Sequence, residues 1–331
     1  STIVQYDGTG DVQNTYTIAG EADRLKFDPR TGDVWALQNQ DANSTVILIN
    51  PATQQVSDPL KYDSGYVYGT DSARGYDDVA FNGGNVFLSY TNPVNPGDPV
   101  IERLLNGTAP FGTLETSSVL SLGDTGTNLA TGETNQPLPL NDPDSLKTLP
   151  DGSLILTSER DVSFTIVQHP GTAQQTASFI SLPSGSPEPD GAIVPTSTSG
   201  TFLVSNTTGN DITEAKVTGL NTNDIYASVG TAIDQIDPHT GNVTPVVTGL
   251  SGAHGLLFVP SSSPTTIGDL LKDLAGDLKQ VPAALASNAS TSSMWAGAAG
   301  AMPGSGAGYS SVMSPDQVTA ALAGTTHTGQ A

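Results

Sequence analysis

Apolar positions along this 331-residue chain fall in short runs separated by turns rich in Gly, Pro, Asn, Asp and Thr, a pattern that predicts β-strands with helix as the minority element. Residues 3–18 read as two strands about a Gly-rich turn. The same shape returns over Thr45 to Leu60, turning at Asn50-Pro51-Ala52-Thr53, and over Phe164 to Leu182, turning near Pro170-Gly171. It returns again over Ala232 to Val247, turning at Asp237-Pro238-His239-Thr240-Gly241, and less regularly within Val100 to Leu122.

One further pattern orders these hairpins. Asp23-Arg24-Leu25-Lys26-Phe27, Asp77-Asp78-Val79-Ala80-Phe81, Asp144-Ser145-Leu146-Lys147-Thr148, Asp190-Gly191-Ala192-Ile193-Val194 and His254-Gly255-Leu256-Leu257-Phe258 share a motif. Each has an acid or His, one variable residue, then an apolar position that opens a strand. Between such a strand and its hairpin lies another, at Asp33 to Leu37, Asn85 to Tyr90, Ser153 to Thr157 and Thr201 to Val204. The repeat is therefore four antiparallel strands, the signature of a β-propeller. Five motif strands predict five blades. Ile212 to Val217, inside the ambiguous stretch from Asn206 to Asn223, would open a sixth, so an all-β, six-bladed ring is the alternative. The N-terminal hairpin lacks preceding strands and the last motif strand lacks following ones, so strands from both termini are expected to close the ring and remove two exposed edges. Gly123 to Leu140 reads as a long surface loop.

The propeller is expected over 1–260 and a C-terminal extension over 261–331. In the extension, Ile267, Leu270, Leu271, Leu274 and Leu278 recur at helical spacing, predicting an amphipathic helix over about 266–280. Residues 287–313 are Ala/Gly/Ser-rich and hold Trp295 and Tyr309; Ser314-Pro315-Asp316-Gln317 then caps a short helix over about 315–323. The apolar stripe, Trp295 and Tyr309 are candidate contacts with its own propeller or with a neighbouring subunit, which makes other protein subunits, a homo-oligomer or a larger assembly, the expected partners.

Charge narrows the partners further. Eleven Lys and Arg against 33 Asp and Glu give a formal charge of −22, which repels nucleic acid and anionic membranes over most of the molecule. The chain has no cysteine, which excludes disulfides and thiolate chemistry. No apolar run of about 18 residues spans a bilayer. The chain opens at Ser1 directly in a strand-like segment, as a mature exported protein would after signal-peptide removal, so an extracellular or periplasmic location is expected.

In a propeller the first residue of each innermost strand faces the channel, so Asp23, Asp77, Asp144, Asp190 and His254 are expected to ring one mouth. Loops on that face bring Asn39, Gln40, Asp41, Asn92, Glu159, Arg160, Asp161 and Asn206. Converging carboxylates bind a cation, share protons, or stay apart and screened, each capping its own turn. Oxygen ligands suit Ca²⁺, and one imidazole moves the preference towards a transition metal. His169 and His239 belong to hairpin turns at the other end, and no Ser nucleophile has an elbow context. Tyr76 and Tyr90 are the aromatic residues placed to serve a passive carbohydrate or peptide binder.

The blade segments, notably Asp224 to Leu250 followed by Ser251-Gly252-Ala253-His254-Gly255-Leu256-Leu257-Phe258, resemble the bacterial propellers that include gluconolactonase-like, paraoxonase-like and NHL-repeat proteins, over about residues 1–260. The resemblance implies a channel Ca²⁺ held by a Glu, Asn residues and an Asp from different blades, which polarises a lactone carbonyl. Glu21, Asp144 and Asp190 are the counterparts by position in the repeat. Here Asp dominates the ring and no Asn heads an inner strand. Two functions follow as expectations: a structural or binding subunit of an exported assembly, and a metal-dependent lactonase or related hydrolase at the Asp-lined mouth.

Overall fold

Turn residues cut the chain into strands too short to bury a face alone, and the computed structural model shows how they stack. It describes residues 1–7, 11–38, 44–62, 75–105, 113–209 and 211–261. Every regular element among them is a β-strand, and none is a helix long and apolar enough to cross a membrane. The expected helices over 266–280 and 315–323, the stripe from Ile267 to Leu278, Trp295 and Tyr309 lie outside the described residues.

Five sheets radiate as blades. Blade one runs outward from Ala22–Phe27 through Val34–Gln38 and Thr45–Asn50 to Leu60–Tyr62. Blade two runs from Tyr76–Asn82 through Asn85–Tyr90 and Pro99–Leu104 to Thr116–Ser121. Blade three runs from Pro143–Thr148 through Leu154–Ser158 and Ser163–Gln168 to Thr176–Ser181. Part of the 123–140 insertion is not loop. Thr125–Asn128 adds to the outer edge of blade three, parallel to Thr176–Ser181, and pairs with Gln136–Pro137. Gly126 permits this close approach, since a Cβ there would meet the Ala177 carbonyl oxygen at 2.6 Å.

Blades four and five depart from the expected order. The strand that pairs with Pro189–Ile193 is Ile225–Val229, followed outward by Ala232–Ile236 and Val243–Thr248. Ser199–Asn206, expected as the second strand of that blade, instead pairs with the last strand, Ala253–Pro260, and with Asp211–Thr218. Blade five is thus built from a hairpin that precedes, and a strand that follows, all of blade four's outer strands. The Asn206 to Asn223 stretch supplies its outer strand and opens no sixth blade. The terminal strands also differ from the expected shared closure. Thr2–Tyr6 and Val12–Thr17 form a two-stranded sheet of their own, while the C-terminal strand belongs to blade five.

Apolar side chains are buried between sheets, as the alternating strand pattern demands. Trp35, Leu37, Val46 and Leu48 of blade one meet Tyr76, Val79, Val86, Leu88 and Tyr90 of blade two. Equivalent clusters join blades two and three around Phe87, Ile101, Leu146 and Leu156, blades three and four around Phe164, Ile180 and Ile225, and blades four and five around Phe202, Tyr226 and Ile233. The N-terminal hairpin covers blade one through Ile3, Tyr16 and Ile18. Each large side chain so buried stabilises the ring by about 1.5–3 kcal/mol. Tyr76 and Tyr90 belong to this core, fully buried with their rings edge to face at 5.8 Å, so neither is available to stack a ligand at the mouth.

Candidate functional site at the channel mouth

All five inner strands carry the same irregularity. Against its neighbour, each holds one extra residue where the motif begins: between Ala22 and Arg24, Tyr76 and Asp78, Pro143 and Leu146, Pro189 and Ala192, and Ala253 and Leu256. A β-bulge leaves a residue unpaired and re-aims its side chain. The bulges therefore give the motif its meaning, because each falls at the motif residue, Asp23, Asp77, Asp144, Asp190 or His254.

Serines fill the bulges and tie blades together. In blade two the Asp78 amide donates to Ser89 Oγ at 2.9 Å, and Ser89 Oγ donates to the Asp144 carbonyl of blade three at 2.8 Å. In blade four the Gly191 amide donates to Ser228 Oγ at 3.0 Å, and Ser228 Oγ donates to the His254 carbonyl of blade five. Asp78 adds a second tie, its carboxylate accepting from the Leu146 amide of blade three at 2.9 Å. The motif residues are thus held by side-chain-to-backbone hydrogen bonds that cross from blade to blade.

Asp144 and Asp190 converge with Glu159, which follows the second strand of blade three. One carboxylate oxygen from each lies within 4.8 Å of the others, a spacing at which the three could hold a metal ion. Asp144 Oδ2 is buried there without a hydrogen-bond partner. Cationic side chains of blades one and three gather around this cluster. Arg24 of blade one places Nη2 2.5 Å from Asp144 Oδ1 and 3.6 Å from Asp190 Oδ1. Lys26 lies 3.0 Å from Asp78 Oδ2 and donates to the Leu146 carbonyl at 3.3 Å. Lys147 donates to the Leu256 carbonyl of blade five at 2.5 Å.

His254 Nδ1 is 2.6 Å from Asp190 Oδ2; the Asp190 side chain is 7 % exposed and that of His254 is 49 % exposed. Ser145 Oγ donates to the other Asp190 oxygen at 3.2 Å. Burial alone would raise the Asp190 carboxyl, but Arg24, then the His254 hydrogen bond and charge, then Lys147 hold it at about 2. The hydrogen bond to Asp190 raises His254, against burial. Glu159 moves the other way: burial, then Asp144, Asp190 and Asp142, push its carboxyl up to about 8. Burial and Asp144 likewise hold Asp77 well above the usual carboxylate range. Burial pulls Lys147 down to about 7, with Lys26 adding to the effect.

Among the residues expected at the mouth, Asp144, Asp190, His254 and Glu159 come together, and Asp77 is buried near enough to Asp144 for its charge to be felt. Asp23 is the second residue of its strand, not the first, and its side chain lies outside the described residues; Glu21 is exposed just before that strand. Asn206 is turned into blade five, donating to Asp211 and Thr213. Asn39, Gln40 and Asp41 lie outside the described residues. Arg24, Lys26, Asp78, Ser145 and Lys147 were not anticipated. A signal for three of them was present, since Arg24, Lys26 and Lys147 stand within two motif strands of a chain with only 11 basic residues.

No family model and no curated protein matches the sequence. Among solved structures the chain is similar to virginiamycin B lyase from Staphylococcus aureus, at 10 % identity and TM-score 0.43, with 76 % of this chain covering 66 % of that one, just under two thirds of its length. It is also similar to a streptogramin B lyase, at 15 % identity and TM-score 0.42, covering 78 % of this chain and 83 % of that one. A third is the periplasmic gluconolactonase of Pseudomonas aeruginosa, at 12 % identity and TM-score 0.32, covering 78 % and 98 %.

Proposed function

We propose that the propeller is a hydrolase of small esters or lactones, with its site at the channel mouth and His254 as the group that moves the proton. One observation carries the reading: a half-exposed imidazole whose Nδ1 lies 2.6 Å from a buried carboxylate. Ionised Asp190 only accepts, so it fixes the proton on Nδ1 and leaves Nε2 as the base facing the mouth. Glu159, held at about 8, keeps its proton at neutral pH beside that base. Two titratable groups pushed apart in this way divide the roles of base and acid. His254 takes a proton from water as the water oxygen bonds to the substrate carbonyl carbon; the ester carbon–oxygen bond breaks, and Glu159 protonates the departing oxygen.

The test is turnover of a panel of lactones and aryl esters by the full chain and by His254→Ala and Asp190→Asn. Both variants should lose roughly 100-fold or more in kcat with little change in KM. Unchanged kcat in His254→Ala, or no turnover of any panel member by the native chain, would sink the proposal.

A second reading, a binding or structural subunit of an extracellular or periplasmic assembly, has one observation in its favour. The outer strand of blade five, Asp211–Thr218, has no strand on its outer edge among the described residues, and it exposes Ile212. Sedimentation of the full chain as a monomer at micromolar concentration would remove the self-assembling form of that reading.

A further inference from the structure

The three carboxylates at the mouth have the spacing of a cation site, yet the oxygens that would bind an ion are already spoken for. Asp190 Oδ2 faces His254 at 2.6 Å, and Asp190 Oδ1 accepts from Ser145 at 3.2 Å with Arg24 Nη2 at 3.6 Å. Asp144 Oδ1 is 2.5 Å from Arg24 Nη2. Ca²⁺ needs six to eight oxygens at about 2.3–2.6 Å, so an ion on these same oxygens would sit against the guanidinium. Two like charges at that range repel strongly, most of all where water is excluded. Only Asp144 Oδ2 and Glu159 remain, too few for a hard divalent ion.

We infer that Arg24 is the resident cation of this site: it stands where a divalent ion would stand, the native chain binds none there, and losing this one side chain opens a Ca²⁺ site on Asp144, Glu159 and Asp190. Arg24 is built for the place. It projects from the inner strand of blade one, directly after the bulge, and reaches across the channel to blades three and four. Its charge is not adjustable, because an arginine keeps its proton throughout the working pH range. Lys26, two residues on, pairs with Asp78 at 3.0 Å. The inference is independent of the hydrolytic reading, since it concerns which cation neutralises the cluster and not what the cluster does to a substrate.

The experiment is Ca²⁺ titration of the full chain, followed by calorimetry and by melting temperature in CaCl₂ against EDTA, for the native protein and for Arg24→Gln, Arg24→Lys and Arg24→Gln/Asp144→Asn. The native chain and Arg24→Lys should melt at the same temperature with and without Ca²⁺. Arg24→Gln should melt lower in EDTA, recover in Ca²⁺, and bind Ca²⁺ at least about tenfold more tightly than the native chain. The added Asp144→Asn should abolish that gain. Tight Ca²⁺ binding by the native chain, no gain in Arg24→Gln, or a gain that survives Asp144→Asn would each overturn the inference. The native measurement alone decides the first point if the variants do not fold.

Discussion

Replacing Glu159 by Gln should stabilise this protein, and only above a definite pH. In the folded chain burial and the neighbouring Asp144, Asp190 and Asp142 push the Glu159 carboxyl from its ordinary 4.5 up to about 8. Between those values the folded state holds a proton that the unfolded state has released, so stability falls as pH rises through the window and levels off above about 8. At about 1.4 kcal/mol per tenfold change in protonation, the full displacement corresponds to about 5 kcal/mol for a wholly desolvated group. Glu159 is only partly buried, and solvent screening reduces the expected cost to about 2 kcal/mol. Gln reproduces the neutral carboxyl at every pH. Glu159→Gln should therefore match the native chain at pH 4 and melt roughly 4 °C higher at pH 8.5. Melting curves of both proteins across pH 4 to 9 provide the assay. Parallel curves, with no gain opening between pH 4.5 and 8, would refute the electrostatic account of the cluster.

Two further substitutions probe the scaffold. Ser228→Ala leaves the Gly191 amide and the His254 carbonyl without their shared partner, and urea unfolding should show a loss of about 1–3 kcal/mol. Gly200→Ala would place a Cβ 2.3 Å from the Val259 carbonyl oxygen and 2.4 Å from the Phe258 ring, so it should cost about 2 kcal/mol. If Ser199–Asn206 paired instead with the Asp190 strand, alanine would be tolerated or mildly stabilising.

How far the sequence revealed this site depends on which interaction is asked about. The motif strands and their turns are local, and they were readable: the side chains of Asp144, Asp190 and His254 lie close together. The bulges were not readable, because an extra residue in one strand shows only against its partner, and no local pattern says that Ala253 and Leu256 oppose Asn206 and Val204. Without them, the alternation rule gave no reason to aim Arg24 or Lys147 into the channel beside the motif residues. The exchange of strands between blades four and five was hidden for the same reason. Ser199–Asn206 is equally good as a neighbour of either inner strand by composition, and the choice rests on contacts such as Phe202 with Phe258, centroids 5.3 Å apart.

That exchange also sets an order of events during synthesis. Blades one to three are complete, apart from the Arg24 and Lys147 cross-links, once residue 181 has emerged. From Pro189 onward nothing can finish alone. The first strand of blade four waits for Ile225–Val229, and the hairpin of Ser199–Asn206 with Asp211–Thr218 must hold Phe202 and Val204 without an inner strand until Ala253–Pro260 arrives. The described residues from 189 to 261 are therefore committed together. A ribosome pausing before residue 253 would present an apolar hairpin to whatever chaperone or neighbouring chain is at hand.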